Sequence, residues 1–393
     1  MLKIVLTLGI RPDLIRASRI IKLLEHHPDV DLKFVWSGQH YADNLKDVFI
    51  RDLGLPEPDI ELGASGATDA ETVGAVISRL HPVLEELAPD VAVFLGDTNT
   101  VMGCIAAAQL NIPIAHVEGC MRSYDWRMPE EKYRTVIDHL SDVVYTYFPE
   151  YADQGVAEGL NPRNLVVVQN LIVDVLDDFY YARRDQFDQF ASPAFFSERG
   201  IESGGFYLMT WHRRENLEED DSVQAILALL RHSPRPVFFP ASYRTQKRLA
   251  SMGAEIPAQV RMVDPIGYRE FLTLLVNSVG VITDSGTVVE ESAVLGIPSL
   301  QMRRSTERPQ VYDCRSSVKF DPAAHQDYAD PPQLFEKLER LAATDWEHGL
   351  GDGVASQRVV DDLLKRLKGG TIRGHEVADS HLNISRSYIG DGL

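Results

Sequence analysis

The sequence predicts an α/β protein made of two Rossmann-like domains, each a parallel sheet with helical crossovers, facing each other across a cleft. Three observations carry this. Short apolar, β-branched runs alternate with longer amphipathic segments along the chain, the pattern of βαβ units. The runs of the second half are hydrophobic almost without interruption, as strands buried on both faces are. Between the halves, residues 177–204 lose periodicity and gain charge ("DDFYYARRDQFDQF"), which marks a crossing from one domain to the other.

In the first half the strands read as "KIVLTL" (3–8), "LKFVWS" (32–37), "VAVFL" (91–95), "IPIAHV" (112–117), "VVYTY" (143–147) and "LVVVQ" (165–169). Helical patterns lie between them, among others at 12–26, 69–87, 98–110 and 129–140. The second series is "GFYLMT" (205–210), "RPVFFP" (235–240), "VRMVD" (260–264), "GVITD" (280–284) and "IPSLQM" (297–302). One more helix is expected at 354–367, and from Gly369 a polar, aperiodic tail reads as loose. The expected division is therefore 1–180, 181–367 (with its last helix able to pack back on the first domain) and a tail at 368–393.

With 393 residues, 44% hydrophobic and 25% charged, the chain suits two ordinary soluble domains. A net charge of −19 argues against a nucleic-acid surface, which needs a positive footprint. An anionic ligand remains compatible if cations gather at one site. The three cysteines have neither zinc spacing nor a disulfide framework, which suits a reducing cytoplasm. The opening "MLKIVLTLGI" is too short to span a membrane and lacks a small-residue cleavage site, so it reads as the first strand.

In open α/β sheets ligands bind beyond the carboxyl ends of the strands, and polar groups recur there. After the first strand, "GIRPD" places Arg11 at a helix start. Pro12 is an ordinary helix-start signal, and Arg11 with the helix N-terminus also suits a phosphate. GxGxxG is absent, so no dinucleotide cofactor is indicated. Asp97 in "GDTNT" is either a cap for the helix at 98–110 or a site acid. Glu118 ends "IPIAHVE", where a buried carboxylate needs partners. In "GCMRSYDWRMPEEKYR", Glu130 and Glu131 open a helix whose dipole favours them, while the apolar lead-in and Trp126 suggest a walled site.

In the second half, "TWHRREN" sets His212 beside Arg213 and Arg214 at a strand end, a plausible anion contact. Ser285, Gly286 and Thr287 open a helix able to cradle phosphate. Thr287 and Glu290 have capping-box spacing, whereas Glu291 is free to accept ribose hydroxyls, and Arg308 in "STERPQ" adds a cation.

Taken together, "GIRPD", "GDTN", "HVEG", "RMPEE", "HRREN", "TDSGT", "EES", "TERP" and "GDG.AS" occur in the order and spacing of one family. From about Lys3 to about Leu367 the chain resembles the UDP-N-acetylglucosamine 2-epimerases. The resemblance implies a GT-B-like fold, a homodimer, a UDP-sugar in the interdomain cleft, a role in cell-surface polysaccharide synthesis, and neither metal nor nicotinamide cofactor. It implies that Asp97, Glu118, Glu130 and His212 line the reacting sugar. By the same resemblance Arg11, Arg16, Phe271, Ser285, Gly286, Glu291 and Arg308 hold the UDP. The implied reaction is inversion at C-2 of a UDP-2-acetamido sugar, with a hydrolysing relative or a GT-B glycosyltransferase as alternatives. "SYDWRMPEE" and "SGT..EES" are similar to branches acting on other UDP-2-acetamido sugars, and Ile266 stands where a uracil-binding glutamine is common.

Overall fold

The structure is a computed structural model that describes residues 1–38, 43–324 and 330–372. The expected tail lies outside the described residues from position 373 onward. Among the described residues, seven strands form one sheet: β1 (Leu2–Leu8), β2 (Val30–Trp36), β3 (Ile60–Glu61), β4 (Val91–Leu95), β5 (Ile114–Val117), β6 (Val143–Thr146) and β7 (Leu165–Val167). Their order is β3-β2-β1-β4-β5-β6-β7, parallel throughout.

Six further strands, β8 (Tyr207–Thr210), β9 (Val237–Pro240), β10 (Val260–Val263), β11 (Gly280–Thr283), β12 (Ser299–Met302) and β13 (Ser317–Phe320), make a second parallel sheet. Its order, β10-β9-β8-β11-β12-β13, is again doubly wound. Two Rossmann-like sheets were expected, and two are present. The strands read from sequence all form, within one or two residues at either end.

The misses have physical causes. β3 is only two residues long, and β13 ("SVKF") is an edge strand with two polar positions, so neither presents an apolar run. The helix expected at 98–110 opens as a 3₁₀ turn (Asn99–Gly103) before becoming α-helical (Cys104–Gln109). The crossing read as aperiodic holds short helices, Arg184–Phe190 and Pro193–Glu198, after the longer Leu171–Phe179. Their aromatics join the main core: Phe187 stands 5.6 Å from Phe179 and 5.0 Å from Tyr180, ring to ring. Helices this short are set by tertiary packing, not by periodicity.

One apolar cluster runs from β1 and β2 through this crossing into the helix Tyr268–Val276 and the helix Gly286–Val294. Separate clusters cover the outer faces of the two sheets. The last helix, Ala355–Gly369, lies against the helices Arg11–Glu25 and Leu171–Phe179. Asp174 caps it from outside, accepting from the backbone N–H of Ala355 (3.0 Å) and Ser356 (2.5 Å).

The topology places the site. Strand order reverses between β1 and β4 in the first sheet and between β8 and β11 in the second. Connections leave in opposite directions there and open a crevice. At the first of these points β1 ends so close to the 3₁₀ turn that a Cβ on Gly9 would lie 1.8 Å from Thr100 Oγ1. Only glycine fits.

Candidate active site

A cavity of about 630 Å³ opens between the carboxyl ends of the two sheets, within the range of small-molecule sites. Arg11 and Arg16 reach it from the helix after β1, Asp97 from the end of β4, and Glu130 from the first turn of the helix Pro129–Leu140. From the second sheet come His212, Arg213 and Arg214 after β8, Tyr243 and Arg244 after β9, and Ile266 and Phe271 beyond β10. Ser285, Gly286, Thr287 and Glu291 follow β11, and Arg308 closes the set.

Of the site residues read from sequence, Glu118 alone does not line this cavity. It is 1% exposed, with φ at +73°. Both its oxygens accept from Arg16 Nη1 at 2.5 Å, Oε1 from Arg308 Nη2 at 2.6 Å, and Oε2 from the Tyr147 hydroxyl at 3.0 Å. Glu118 therefore stands one layer behind the wall, tying an arginine of one half to an arginine of the other. Glu130 and Glu131 divide their work. Glu131 accepts from the backbone N–H of Ser123 (3.0 Å) and Tyr124 (2.8 Å) and from Arg134 Nη1 (3.1 Å), stapling the loop to the helix, which leaves Glu130 to face the cavity. Trp126 is 63% exposed and does not line this cavity, a correction to the sequence reading. The outward loop instead carries an Asp125–Arg127 ion pair.

Two other expectations change. Asp97 caps no helix: its carboxylate pairs with buried Arg134, and the turn that follows has no side-chain cap. Thr287 and Glu290 form no capping box. Ser285 is the cap, its Oγ accepting from Val288 N, while Glu290 is buried against Arg308 Nε (3.0 Å) and Asn170 Nδ2 (2.7 Å).

The electrostatics separate the acids. Burial pushes the Asp97 carboxyl up, but Arg134, Arg16 and Arg213 outweigh it and hold the group below the usual carboxylate range. Burial pushes Glu130 up as well, and there Arg213 offsets it only in part, so Glu130 is raised. Glu291 is pushed up to about 8, chiefly by burial, against a Tyr268 hydroxyl donating to it at 2.7 Å. Burial also lowers His212, with Arg213 and Arg11 adding to it against Asp284, which favours the neutral imidazole.

Asp284, wholly buried, holds this histidine. It accepts from the N–H of His212 (3.1 Å) and of Arg213 (2.9 Å), and its Oδ1 lies 3.4 Å from His212 Nδ1. Among the described residues Arg11 has no carboxylate partner; its guanidinium lies 5.5 Å over the Phe49 ring, and burial lowers its pKa. A half-buried cation without a carboxylate partner beside a helix N-terminus is a place for an anion.

Sequence reading missed Arg134, Asp284 and Glu307. Asp284 ends a strand, so the strand-end rule that found its neighbours applied to it also. Glu307 adjoins Arg308 but had no signal of its own, and Arg134 reads as one more charge on an amphipathic helix.

Comparison with known proteins agrees with this geometry. The family model for UDP-N-acetylglucosamine 2-epimerase matches residues 22–364. A UDP-N-acetylglucosamine 2-epimerase of Methanocaldococcus jannaschii is 30% identical over 371 residues, 91% of this chain and 98% of its own. A UDP-2,3-diacetamido-2,3-dideoxy-D-glucuronate 2-epimerase of Pseudomonas aeruginosa is 32% identical over 377 residues, 93% of this chain and 100% of its own. The crystal structure of the Methanocaldococcus jannaschii enzyme in complex with UDP-GlcNAc and UDP superposes with a TM-score of 0.82 at 30% identity, covering 93% of this chain and 100% of that one. The chain therefore belongs to the UDP-N-acetylglucosamine 2-epimerase family.

Proposed function

We propose that this protein inverts C-2 of a UDP-2-acetamido sugar, UDP-GlcNAc or a close relative, by anti elimination of UDP and its readdition. The observation that carries the reading is a pair of carboxyls on one cavity whose surroundings push them apart, Asp97 down and Glu130 up. Such a split suits one group to take a proton and the other to hold one.

The C-2 hydrogen is not acidic by itself, so its removal is coupled to a leaving group. Asp97 takes the C-2 proton, the C–H electrons become the C-1=C-2 double bond of a 2-acetamidoglycal, and the C-1–O bond breaks with its electron pair passing to UDP. Glu130 then delivers a proton to C-2 on the other face while a UDP oxygen closes on C-1. Exchange with solvent resets the two carboxyls. Arg11, Arg308 and the helix start at Ser285–Thr287 take up the charge that develops on the leaving diphosphate. Neutral His212, held by Asp284, is placed beside the bond that breaks. Phe271 and Ile266 offer an apolar seat for the base, and Glu291 with Tyr268 faces the ribose. Glu118 acts from behind, fixing Arg16 and Arg308.

The substrate is stated as a class because similar relatives carry the names of a UDP-GlcNAc and of a UDP-diacetamidoglucuronate epimerase. The family resemblance also supports a homodimer in the cytoplasm serving cell-surface polysaccharide synthesis. The test is turnover of a UDP-2-acetamidohexose panel in D₂O, followed by proton NMR. Deuterium should appear at C-2 of the product, and of recovered substrate, with UDP still attached. Asp97→Asn should slow the labelling by about 10²–10⁴-fold. Turnover without label at C-2 would point to a glycosyltransferase and sink the reading; label with accumulating free hexosamine would make the enzyme a hydrolysing one.

A further inference from the structure

One carboxylate that the proposed chemistry leaves unused sits at the centre of the cleft's charge. Glu307 is 1% exposed. Its Oε2 accepts from Arg303 Nη2 at 3.0 Å, its Oε1 accepts from Arg308 Nη1, and the same Oε1 lies 3.7 Å from both Arg134 Nη2 and Arg213 Nη2. The four arginines come from both halves and do different things. Arg213 and Arg308 line the cavity, Arg134 holds Asp97, and Arg303 lies buried away from the lining. A carboxylate serving one ion pair would need a single arginine; this one is divided among four.

That division matters for a site that must release its anion at every turnover. Without Glu307, Arg308 and Arg213 would turn more of their charge on the diphosphate, and Arg134 more of its own on Asp97. A unit charge at about 8 Å in a medium of effective dielectric about 20 changes an equilibrium roughly thirtyfold before any relaxation. Glu118 and Glu290 also hold Arg308, but no ion pair joins either of them to Arg213 or Arg134. Among the described residues Glu307 alone lies within ion-pair distance of Arg308, Arg213 and Arg134 together.

We propose that Glu307 is a positioning residue that sets how strongly the cleft grips the diphosphate: by sharing Arg308, Arg213 and Arg134 it holds UDP loosely enough to leave and rejoin C-1. This rests on the reading that the cavity takes a UDP-sugar. Binding energy spent equally on ground and transition states raises no turnover, so the charge that Glu307 withholds favours kcat at the expense of KM.

The test is calorimetric titration of UDP into the full chain, with steady-state kinetics alongside. Folded Glu307→Gln should bind UDP about tenfold more tightly while KM and kcat both fall. A structural lesion would instead weaken binding. Glu307→Asp, which keeps the charge, should bind UDP within about twofold of the wild type. Arg303→Met should act in the opposite sense, weakening UDP several-fold as Glu307 turns to Arg308 and Arg213. Unchanged or weaker UDP binding in folded Glu307→Gln overturns the proposal. Should that variant lack a cooperative melt, unchanged or tighter binding by Arg303→Met overturns it. A wild type that binds no UDP would overturn the proposed function itself, and this role with it.

Discussion

Glu291 shows how much a single residue's surroundings decide. Burial first, and the neighbouring Glu290 with it, push its carboxyl from an ordinary 4.5 up to about 8, while the Tyr268 hydroxyl donating to it pulls the other way. A carboxyl whose folded pKa is raised binds its proton better in the folded chain. Its contribution to stability is therefore complete below about pH 4.5 and is lost as pH climbs to about 8. Asp13, raised to about 7 by burial against the pull of Arg16, has the same sign. In Glu291→Gln the amide imitates the protonated acid at every pH. The ligand-free variant should match the wild type in melting temperature near pH 4.5–5 and exceed it by a margin that grows up to pH 8. A margin that stays flat with pH would show that Glu291 ionises normally.

At the scale of elements, the helix Gly286–Val294 is buried along its whole length, and its start faces the cavity. Ser285 caps it, and Arg308 lies against Gly286 so closely that a Cβ there would come within 2.7 Å of the guanidinium. Arg308 has little room to yield, since Glu118, Glu290 and Glu307 hold it from three sides. Gly286→Ala should thus push the guanidinium out of register with the helix start and weaken UDP binding by about tenfold, a typical effect of losing one charge-assisted contact. Titration of UDP checks this, and undiminished affinity would mean that helix and arginine do not share one phosphate site. The helix Pro129–Leu140 works similarly for the acids: Glu131 anchors the loop so that Glu130, one residue earlier, meets the cavity.

Across the whole molecule, the halves are joined by polar ties around the cleft and by apolar packing behind it. Arg308 reaches Glu118, Arg214 Nη2 reaches Asp69 Oδ1 at 2.6 Å, Asn170 reaches Glu290, and the Tyr151 hydroxyl donates to the Glu307 carbonyl at 2.8 Å. The apolar cluster shared by both halves makes their unfolding cooperative. Scanning calorimetry should therefore record one transition, and UDP should move it upward as a unit. Saturation at a hundredfold excess over Kd is worth about 2.7 kcal/mol. Two separate peaks, with UDP shifting neither or only one, would contradict a ligand gripped from both sides.

Much of this was legible in the sequence because the physics behind it is local or periodic. Strands buried on both faces must be apolar, and a parallel sheet must carry its ligand groups at strand ends. Hence the two sheets could be read from alternation, and Arg11, Asp97, His212 and the helix start at Ser285 stood out as strand-end groups, each with an ordinary structural reading beside it; their parts at a sugar-nucleotide site were implied by the family resemblance. Partnership could not be read. Glu118 reads as one more strand-end acid, and only its left-handed backbone and its contacts with residues far along the chain turn it from the cavity to Arg16 and Arg308. Arg134, Asp284 and Glu307 acquire their parts the same way, from neighbours that the chain brings together only on folding. Charge alternation names the ionisable groups, but a pKa depends on burial and on distances to other charges. The sequence by itself determined the architecture and the edge on which the chemistry lies; which carboxyl faces the cavity, which is held down and which is raised, only the tertiary structure decided.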